Sequence, residues 1–422
     1  MSLIFLINCK KVVELVDMIF SKIEIKNFKS FKDVSVDLND FNVIVGASAS
    51  GKSNFIEAFQ FLKDIREDLE KGINAHGGHF FQNLNMGSEN PSCIKLTIGD
   101  NDPFLRRVHE NQDEIQYKSI EYELCLNFNE NSSSMINETV KFNFNIVNGE
   151  TYENSLLLIN QDSRIVAEFE NESLGLDLED FVPKALLNIV NENLKDKEGL
   201  IINSPLSSIP FDWSIYFKSI SHYNFDPKFC RVEDGSGKAE LNEFGQNLSL
   251  VLENILSDDE KKRTFLNLVS VLLPYIEGID VFKLEDNRRM FSLTEKYNKS
   301  PVLSLFVSDG TMNILALICA LYFESGELIL IEEPERNIHP ALFIKLVSMM
   351  KEVAVKKQVI ITTHSPEILN YCDLDDIHLI SRDEDGFSKL SKPIDNEEVK
   401  EFIDEMGIGQ VFVDDYLDFG ND

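Results

Sequence analysis

Apolar and polar positions change period several times along the 422 residues, and the changes divide the chain. In SKIEIKNF and FKDVSVDL apolar residues alternate with polar ones, the period of half-buried strands, and the two runs read as a β-hairpin. FNVIVG, ending at Gly46, is a short continuous apolar run, which reads as a buried core strand. From Lys52 to about Glu70, Phe55, Ile56, Phe59 and Leu62 trace one face of a helix, and Gly77-Gly78 breaks the pattern. From Ile94 to about Glu170 the period returns to two in CIKLTIGD, SIEYELCLNF, VKFNFNIVNG and ENSLLLINQ, with turn signals NENSSS and VNGE between. This predicts an antiparallel β region. Residues 175–300 mix irregular stretches with two amphipathic helices, QNLSLVLENIL and RTFLNLVSVLLPYI. After residue 301, helix TMNILALICALYF, strand LILIEE, helix PALFIKLVSMMKEVA and strand QVIITT alternate. That order predicts parallel strands joined by helices. No repeat of 20–50 residues and no long heptad array is present.

The loop after the first core strand carries the most specific chemistry. Gly46-Ala47-Ser48-Ala49-Ser50-Gly51-Lys52-Ser53 fits G-x-x-x-x-G-K-[ST] between a buried strand and a helix. The glycines let backbone wrap around phosphate oxygens, while loop N–H groups and the helix start supply fixed positive potential. Lys52 is placed to reach the β- and γ-phosphates and the Ser53 hydroxyl to bind Mg²⁺, with Asn54 completing the candidate ATP contacts. The bland alternative is an accidental glycine turn.

A phosphate loop binds; hydrolysis needs more. LILIEE ends a buried strand on Glu332 and Glu333. Glu332 suits the Mg²⁺ shell, and Glu333 suits polarising the attacking water. An acidic turn is the alternative, but paired carboxylates at the end of a core strand are costly without a cation. VIITTHSP ends a second core strand at His364, where ligands of open α/β sheets gather. Ser308, before Asp309, Gly310 and Thr311, is a natural N-cap for the long apolar helix behind it, and a plain capped core helix explains that segment equally well.

Taken in order, GASASGKS, VSDGT, LILIEEPE…HP and TTHSP resemble the ATP-binding-cassette ATPases of the SMC/RecF/OLD kind, and in particular stand-alone bacterial AAA family ATPases with an OLD-type head. IEIKNFKSFKD, HYNFDP and EFGQNLSLVLENIL are similar to further segments of that family. The resemblance implies an α/β P-loop NTPase of ABC-head type: a parallel core sheet flanked by helices, an antiparallel β region and a helical insertion. It implies a homodimer in which Ser308-Asp309-Gly310-Thr311 of one head contacts the γ-phosphate held by the other. It assigns Glu333 as catalytic carboxylate, His364 as switch histidine, Asn337-Ile338-His339 as D-loop, and Gln82 as the glutamine that joins Mg²⁺ and water. Departures are Ser48 in place of the asparagine common in SMC-type loops, Glu332 in place of aspartate, and S-D-G-T in the signature. The expected division is an N-terminal extension over 1–18, the first part of the head over 19–100, a β-rich and helical insertion over 101–300, and the rest of the head with an acidic tail over 301–422.

Charge and composition limit the partners. The net charge of −32 disfavours nucleic acid, whose affinity rests largely on Lys and Arg; the clusters at Lys261–Thr264 and Arg106-Arg107 are thin. The longest apolar run, Ile314 to Phe323, has ten residues, half the roughly 20 a membrane span needs. Six cysteines without C-x-x-C spacing read as reduced thiols, and a cytoplasmic setting follows. The 58 residues after His364 are too few for a Toprim nuclease, which needs roughly 100, and Asp373, Asp375, Asp376, Asp414 and Asp415 read as solvated acids rather than a metal site. The leading expectation is an ATPase head dimer regulating a separate effector, a nuclease or toxin, in anti-phage defence. The alternatives are a DNA repair or recombination ATPase and a nucleotide-gated scaffold without turnover.

Overall fold

The computed structural model describes residues 9–15, 19–78, 90–99, 105–109, 114–128, 134–148, 150–161, 164–170, 178–194, 199–231, 239–285, 287–395, 403 and 407–413. Gln82, Asp414 and Asp415 lie outside them. Two compact units interleave along the chain. One comprises Met1–Asn39, Asn54–Ile220 and Arg382–Leu390; the other comprises Asp40–Ser53, Ser221–Ser381 and Ser391–Asp422.

The first unit is built on an antiparallel sheet in the order Arg164–Glu170, Glu150–Gln161, Ser134–Asn148, Glu114–Phe128, Ser92–Ile98, Phe20–Phe28, Phe31–Asp37. Period-two patterning dictates its buried face: Ile136, Val140, Phe142, Phe144 and Ile146 share one side of a single strand. Glu138 sits in the same row, fully buried, and accepts from Tyr122 Oη (3.0 Å), Asn160 Nδ2 (3.3 Å) and the backbone N–H groups of Ile202 (3.1 Å) and Ile201. Burial still pushes its carboxyl up, to about 7. Leu105–His109 pairs with Cys9–Leu15 and with the start of Glu114–Phe128. Cys93 and Cys125, expected as thiols, stand opposite each other on neighbouring strands and form a disulfide, a meeting that only strand register reveals. Cys230, Cys319 and Cys372 are free.

The helix Lys52–Glu67 buries Phe55, Ile56, Phe59 and Leu62, and ends at Asp68, whose carboxylate caps Leu69–Ala75 through Lys71 N–H. His76 then turns back between two carboxylates of the first helix, its Nδ1 3.1 Å from Glu57 Oε1 and its Nε2 2.8 Å from Asp64 Oδ2.

The second unit holds a parallel sheet. Leu328–Glu332 pairs with Gln358–Thr363, which pairs with Phe41–Val45, which pairs with Ile377–Arg382. Phe41–Val45 and Gln358–Thr363 are buried throughout, as both-face burial demands of parallel strands. The helix Asp309–Tyr322 is buried at every residue from Thr311 to Leu321, which explains why it is apolar on all sides. With Phe343–Ala354 it packs a core that includes Val43, Leu315, Ile331, Leu346 and Ile361. A small sheet, Ile276–Lys283, Arg289–Glu295 and Val302–Leu303, lies in the same unit. Asp373 and Asp376 pair with Lys351 (2.6 and 3.6 Å), and no acidic or histidine cluster suited to a metal occurs among the described residues. Among them, too, no helix is long and apolar enough to cross a membrane.

The His76 contacts give the first unit a pH dependence. Burial lowers the His76 pKa, but the hydrogen bonds to Asp64 and Glu57 outweigh it and leave it raised above 6.5. Its stabilisation is complete below the unfolded value and is lost as pH rises through the higher folded value. Chemical unfolding should therefore show the stability gap between wild type and His76→Gln shrinking as pH rises above 6.5. A gap that widens over that range contradicts the assignment.

Candidate functional site

Residues of the second unit from five stretches of sequence meet at the carboxyl ends of its parallel strands. The loop after Phe41–Val45 reverses direction through Ala49 (φ 64°) and Gly51 (φ 118°). A Cβ on Gly46 would stand 2.1 Å from the backbone oxygen of Ile380, so only glycine fits beneath the loop. Lys52 Nζ folds back onto its own loop, donating to Gly46 O and Ala47 O, both at 2.8 Å. Burial lowers its pKa, and the charges of Glu333, Glu335 and Glu332 partly counter that. Asn54 belongs to the first unit, where its Nδ2 donates to Ser30 Oγ (2.8 Å).

Glu332 ends its strand with both oxygens engaged. Oε2 accepts from Ser53 Oγ (2.6 Å); Oε1 accepts from Asn224 Nδ2 (3.3 Å) and lies 3.1 Å from His222 Nε2. Burial raises this carboxyl, but the His222 and Ser53 hydrogen bonds prevail and hold it below the usual range. His222 is itself fixed by Glu243 Oε1, 3.3 Å from Nδ1, and its pKa is raised because the two carboxylates outweigh desolvation.

Glu333 has the left-handed backbone of a residue under strain, with φ 47° and its N–H bonded to Thr362 O (2.8 Å). Its Oε2 accepts from Arg336 Nε (3.1 Å) and Nη2 (2.8 Å), and its Oε1 is 3.2 Å from His364 Nδ1. Two residues on, Glu335 is buried, with its pKa raised by desolvation; Thr363 Oγ1 donates to it and accepts from Ser365 N–H (2.9 Å).

Ser308 caps the helix Asp309–Tyr322, its Oγ accepting from Thr311 N–H (3.2 Å), and Thr311 Oγ1 also meets Tyr275 Oη (2.9 Å). Arg231 organises the approach to that cap. It donates to Leu305 O (2.9 Å), Val307 O (2.8 Å) and Asp309 Oδ1 (2.5 Å). A Cβ on Gly310 would lie 2.4 Å from Asn337 O, and Asn337 itself has φ 61°. The 308–311 turn and the 337–339 turn are thus fitted to each other. Ser53 donates to Glu332, His364 pairs with Glu333 one residue on, and the charges of both carboxylates act on Lys52.

The family model described as AAA ATPase domain matches residues 18–369. The chain belongs to that family. Its motif order is that of the SMC/RecF/OLD-like ABC-type ATPases, and its fold is the α/β P-loop NTPase class expected from the sequence. This AAA ATPase domain is 23% identical over 381 residues to Endonuclease GajA of Bacillus cereus (strain VD045), a match covering 84% of this chain and 57% of that protein. A stretch of 65 residues is 45% identical to Chromosome partition protein Smc of Methanocaldococcus jannaschii, covering 14% of this chain and 6% of that protein. Thus the chain spans little more than half of the first relative's length. Among solved structures it is similar to the SMC head domain from Thermotoga maritima (TM-score 0.41, 14% identity, covering 88% of this chain and 98% of that one). It is also similar to an Smc head domain bound to the C-terminal domain of ScpA derived from Pyrococcus furiosus (TM-score 0.46, 14% identity, 92% and 99%).

Sequence reasoning did not single out His222, Asn224, Arg231, Glu335 or Arg336 as site residues of the ATPase domain. HYNFDP had been noted only for likeness, although its histidine and asparagine both reach Glu332. No spacing rule links residue 222 to residue 332. Arg336 was within sight, three residues after Glu333, where a cation on the same turn meets the carboxylate.

The close fit at Gly310 makes a signed prediction. Within an exposed helix, replacing glycine by alanine stabilises by about 1 kcal/mol. Here the new methyl meets the Asn337 backbone, so Gly310→Ala is expected to destabilise by about 1–3 kcal/mol in denaturant titrations. A stabilised variant refutes the contact.

Proposed function

We propose that the protein is an ATP-hydrolysing head that works as a homodimer and regulates a separate effector, a nuclease or toxin, in bacterial anti-phage defence. One observation carries the hydrolytic reading: two adjacent carboxylates at one strand end take partners from two other stretches, Glu332 Oε2 from Ser53 Oγ at 2.6 Å and Glu333 Oε1 from His364 Nδ1 at 3.2 Å. An oxygen pair of hydroxyl and carboxylate, kept ionised by its neighbours, suits a hard divalent cation. Ser53 and Glu332 would hold Mg²⁺, and the glycine-floored loop 46–53 with Lys52 would hold the phosphates of ATP. Bound Mg²⁺ would neutralise developing phosphate charge. Glu333 accepts the proton of the attacking water, and His364, on its Oε1, orients it. Ser308, Asp309, Gly310 and Thr311 serve the nucleotide of the second copy. The name of the relative, endonuclease, agrees with a nuclease as effector, and the protein acts within the cytoplasm.

Under this reading Glu333→Gln abolishes phosphate release, at least about a hundredfold by the usual worth of a general base, and accumulates an ATP-bound dimer visible by light scattering. Turnover at the wild-type rate removes Glu333 from the mechanism. Absence of phosphate release from the wild type with Mg²⁺ favours a nucleotide-gated scaffold instead.

The 65-residue similarity to a chromosome partition protein favours a second reading, an ATPase acting on DNA for repair or recombination. The charge of −32 opposes it. Duplex DNA should not shift in native gels even at low salt; a shift that disappears as salt is raised supports the DNA reading.

A further inference from the structure

Arg336 occupies the carboxylate that hydrolysis needs. Two of its N–H groups converge on Glu333 Oε2, filling both lone pairs of that oxygen, while His364 takes one side of Oε1. The backbone on both sides is pinned. Glu333 N–H is bonded to Thr362 O, Arg336 N–H to Glu333 O (3.0 Å), and Arg336 O accepts from Asn313 Nδ2 (2.6 Å). What can move is the long arginine side chain, 39% exposed, whose remaining contact is a weak one, Nη1 to Asn224 Oδ1 at 3.4 Å.

The surroundings say where it would go. Asn224, on which Nη1 rests, also donates to Glu332, the carboxylate that accepts from Ser53 Oγ at the end of the 46–53 loop. A phosphate brought to that loop therefore arrives within two hydrogen-bonded side chains, Glu332 and Asn224, of the Arg336 guanidinium. Arg offers the same planar fork to phosphate as to carboxylate, so the two anions compete for one guanidinium.

We infer that Arg336 is a terminal-phosphate sensor: with a nucleoside triphosphate on the 46–53 loop, its guanidinium leaves Glu333 for the terminal phosphate, and with a diphosphate it stays. The carboxylate is then released for water only when there is a phosphate to transfer. Arg336 would thus set the preference for ATP over ADP and hold the empty head inactive. The inference rests on the reading of Glu333 as the group that activates water.

Equilibrium binding of a non-hydrolysable ATP analogue and of ADP, both with Mg²⁺, tests it on the full chain. Arg336→Ala is expected to lose about tenfold in affinity for the analogue while ADP stays within about twofold, with Arg336→Lys between, since lysine keeps the charge and loses the fork. Equal losses for both nucleotides, or none for either, overturn the proposal. Removing Arg336 also leaves Glu333 unneutralised, so the same comparison is made in a Glu333→Gln background. A tenfold loss there shows contact with the phosphate; its disappearance shows that Arg336 acts through Glu333 alone and overturns the sensor. Because binding needs no turnover, this result stands apart from the hydrolytic reading, which fails if Glu333→Gln still hydrolyses ATP. If Arg336→Ala does not fold, the Lys variant in both backgrounds gives the same test.

Discussion

Three carboxylates, Glu332, Glu333 and Glu335, stand within four residues at the end of a strand whose other positions, Leu328 to Ile331, are buried. Such a cluster in a low-dielectric setting costs several kcal/mol per uncompensated charge. Two of the acids meet that cost with their own partners, Glu332 with Ser53, His222 and Asn224 and Glu333 with Arg336 and His364, whereas Glu335 has Thr363 on one oxygen and its pKa is raised by desolvation. Those partners come from stretches far apart in the chain, the bonded pair Ser53 and Glu332 being separated by 279 residues. The acids therefore do more than decorate a finished sheet. Their compensation fixes which loops must close over its carboxyl edge, and it leaves the edge charged, donor-rich and ready for a cation.

A second constraint couples that edge to the long buried helix. The turn that follows the acids passes through Asn337 in the left-handed region and lays its carbonyl on Gly310. Asn313, on the same helix, holds Arg336 O. The turn after the acids and the helix that begins at the 308–311 cap are thereby tied at two points, one backbone contact and one side-chain hydrogen bond. Arg231 steadies the approach to the cap by bonding three of its carbonyls, those of Ser304, Leu305 and Val307.

Much of the fold is legible because the signals are local. Alternation in SKIEIKNF and unbroken apolarity in FNVIVG and QVIITT mark strands of the two kinds, and their burial follows the expected periods. The spacing of the 46–53 loop points to a phosphate cradle because each residue type in it has one steric or charge reason to be there, and the structure agrees on the steric one at Gly46. What escaped notice depends on register or on long-range contact. Asp373, Asp375 and Asp376 drew attention as an acidic stretch and hid the buried strand Ile377–Arg382 just behind them. The pairing of Cys93 with Cys125 is a consequence of which residues face each other across two strands. Residues 276–303 gave no strong periodic signal, and they form a three-stranded sheet. His222 illustrates the limit best: a lone histidine before a tyrosine carries no chemical label until a strand places it against Glu332.

The charge balance at the strand ends bears on how an acidic chain can take a polyanion at all. With a net charge of −32, nothing in the overall field attracts ATP, and the local field near Glu332, Glu333 and Glu335 repels it. Under the proposed reading, attraction comes from short-range elements: backbone N–H groups of the 46–53 loop, the start of the helix behind it, Lys52, Arg336 and a divalent cation. Lys52 donates to loop carbonyls and Arg336 to Glu333. Phosphate binding under that reading is an exchange of partners rather than a simple addition of contacts. An exchange discriminates: each cation moves only if the incoming anion is a better partner than the one it leaves. In that sense the acidity of the site works as a filter, admitting the ligand that carries enough charge, together with its metal, to displace what is already there.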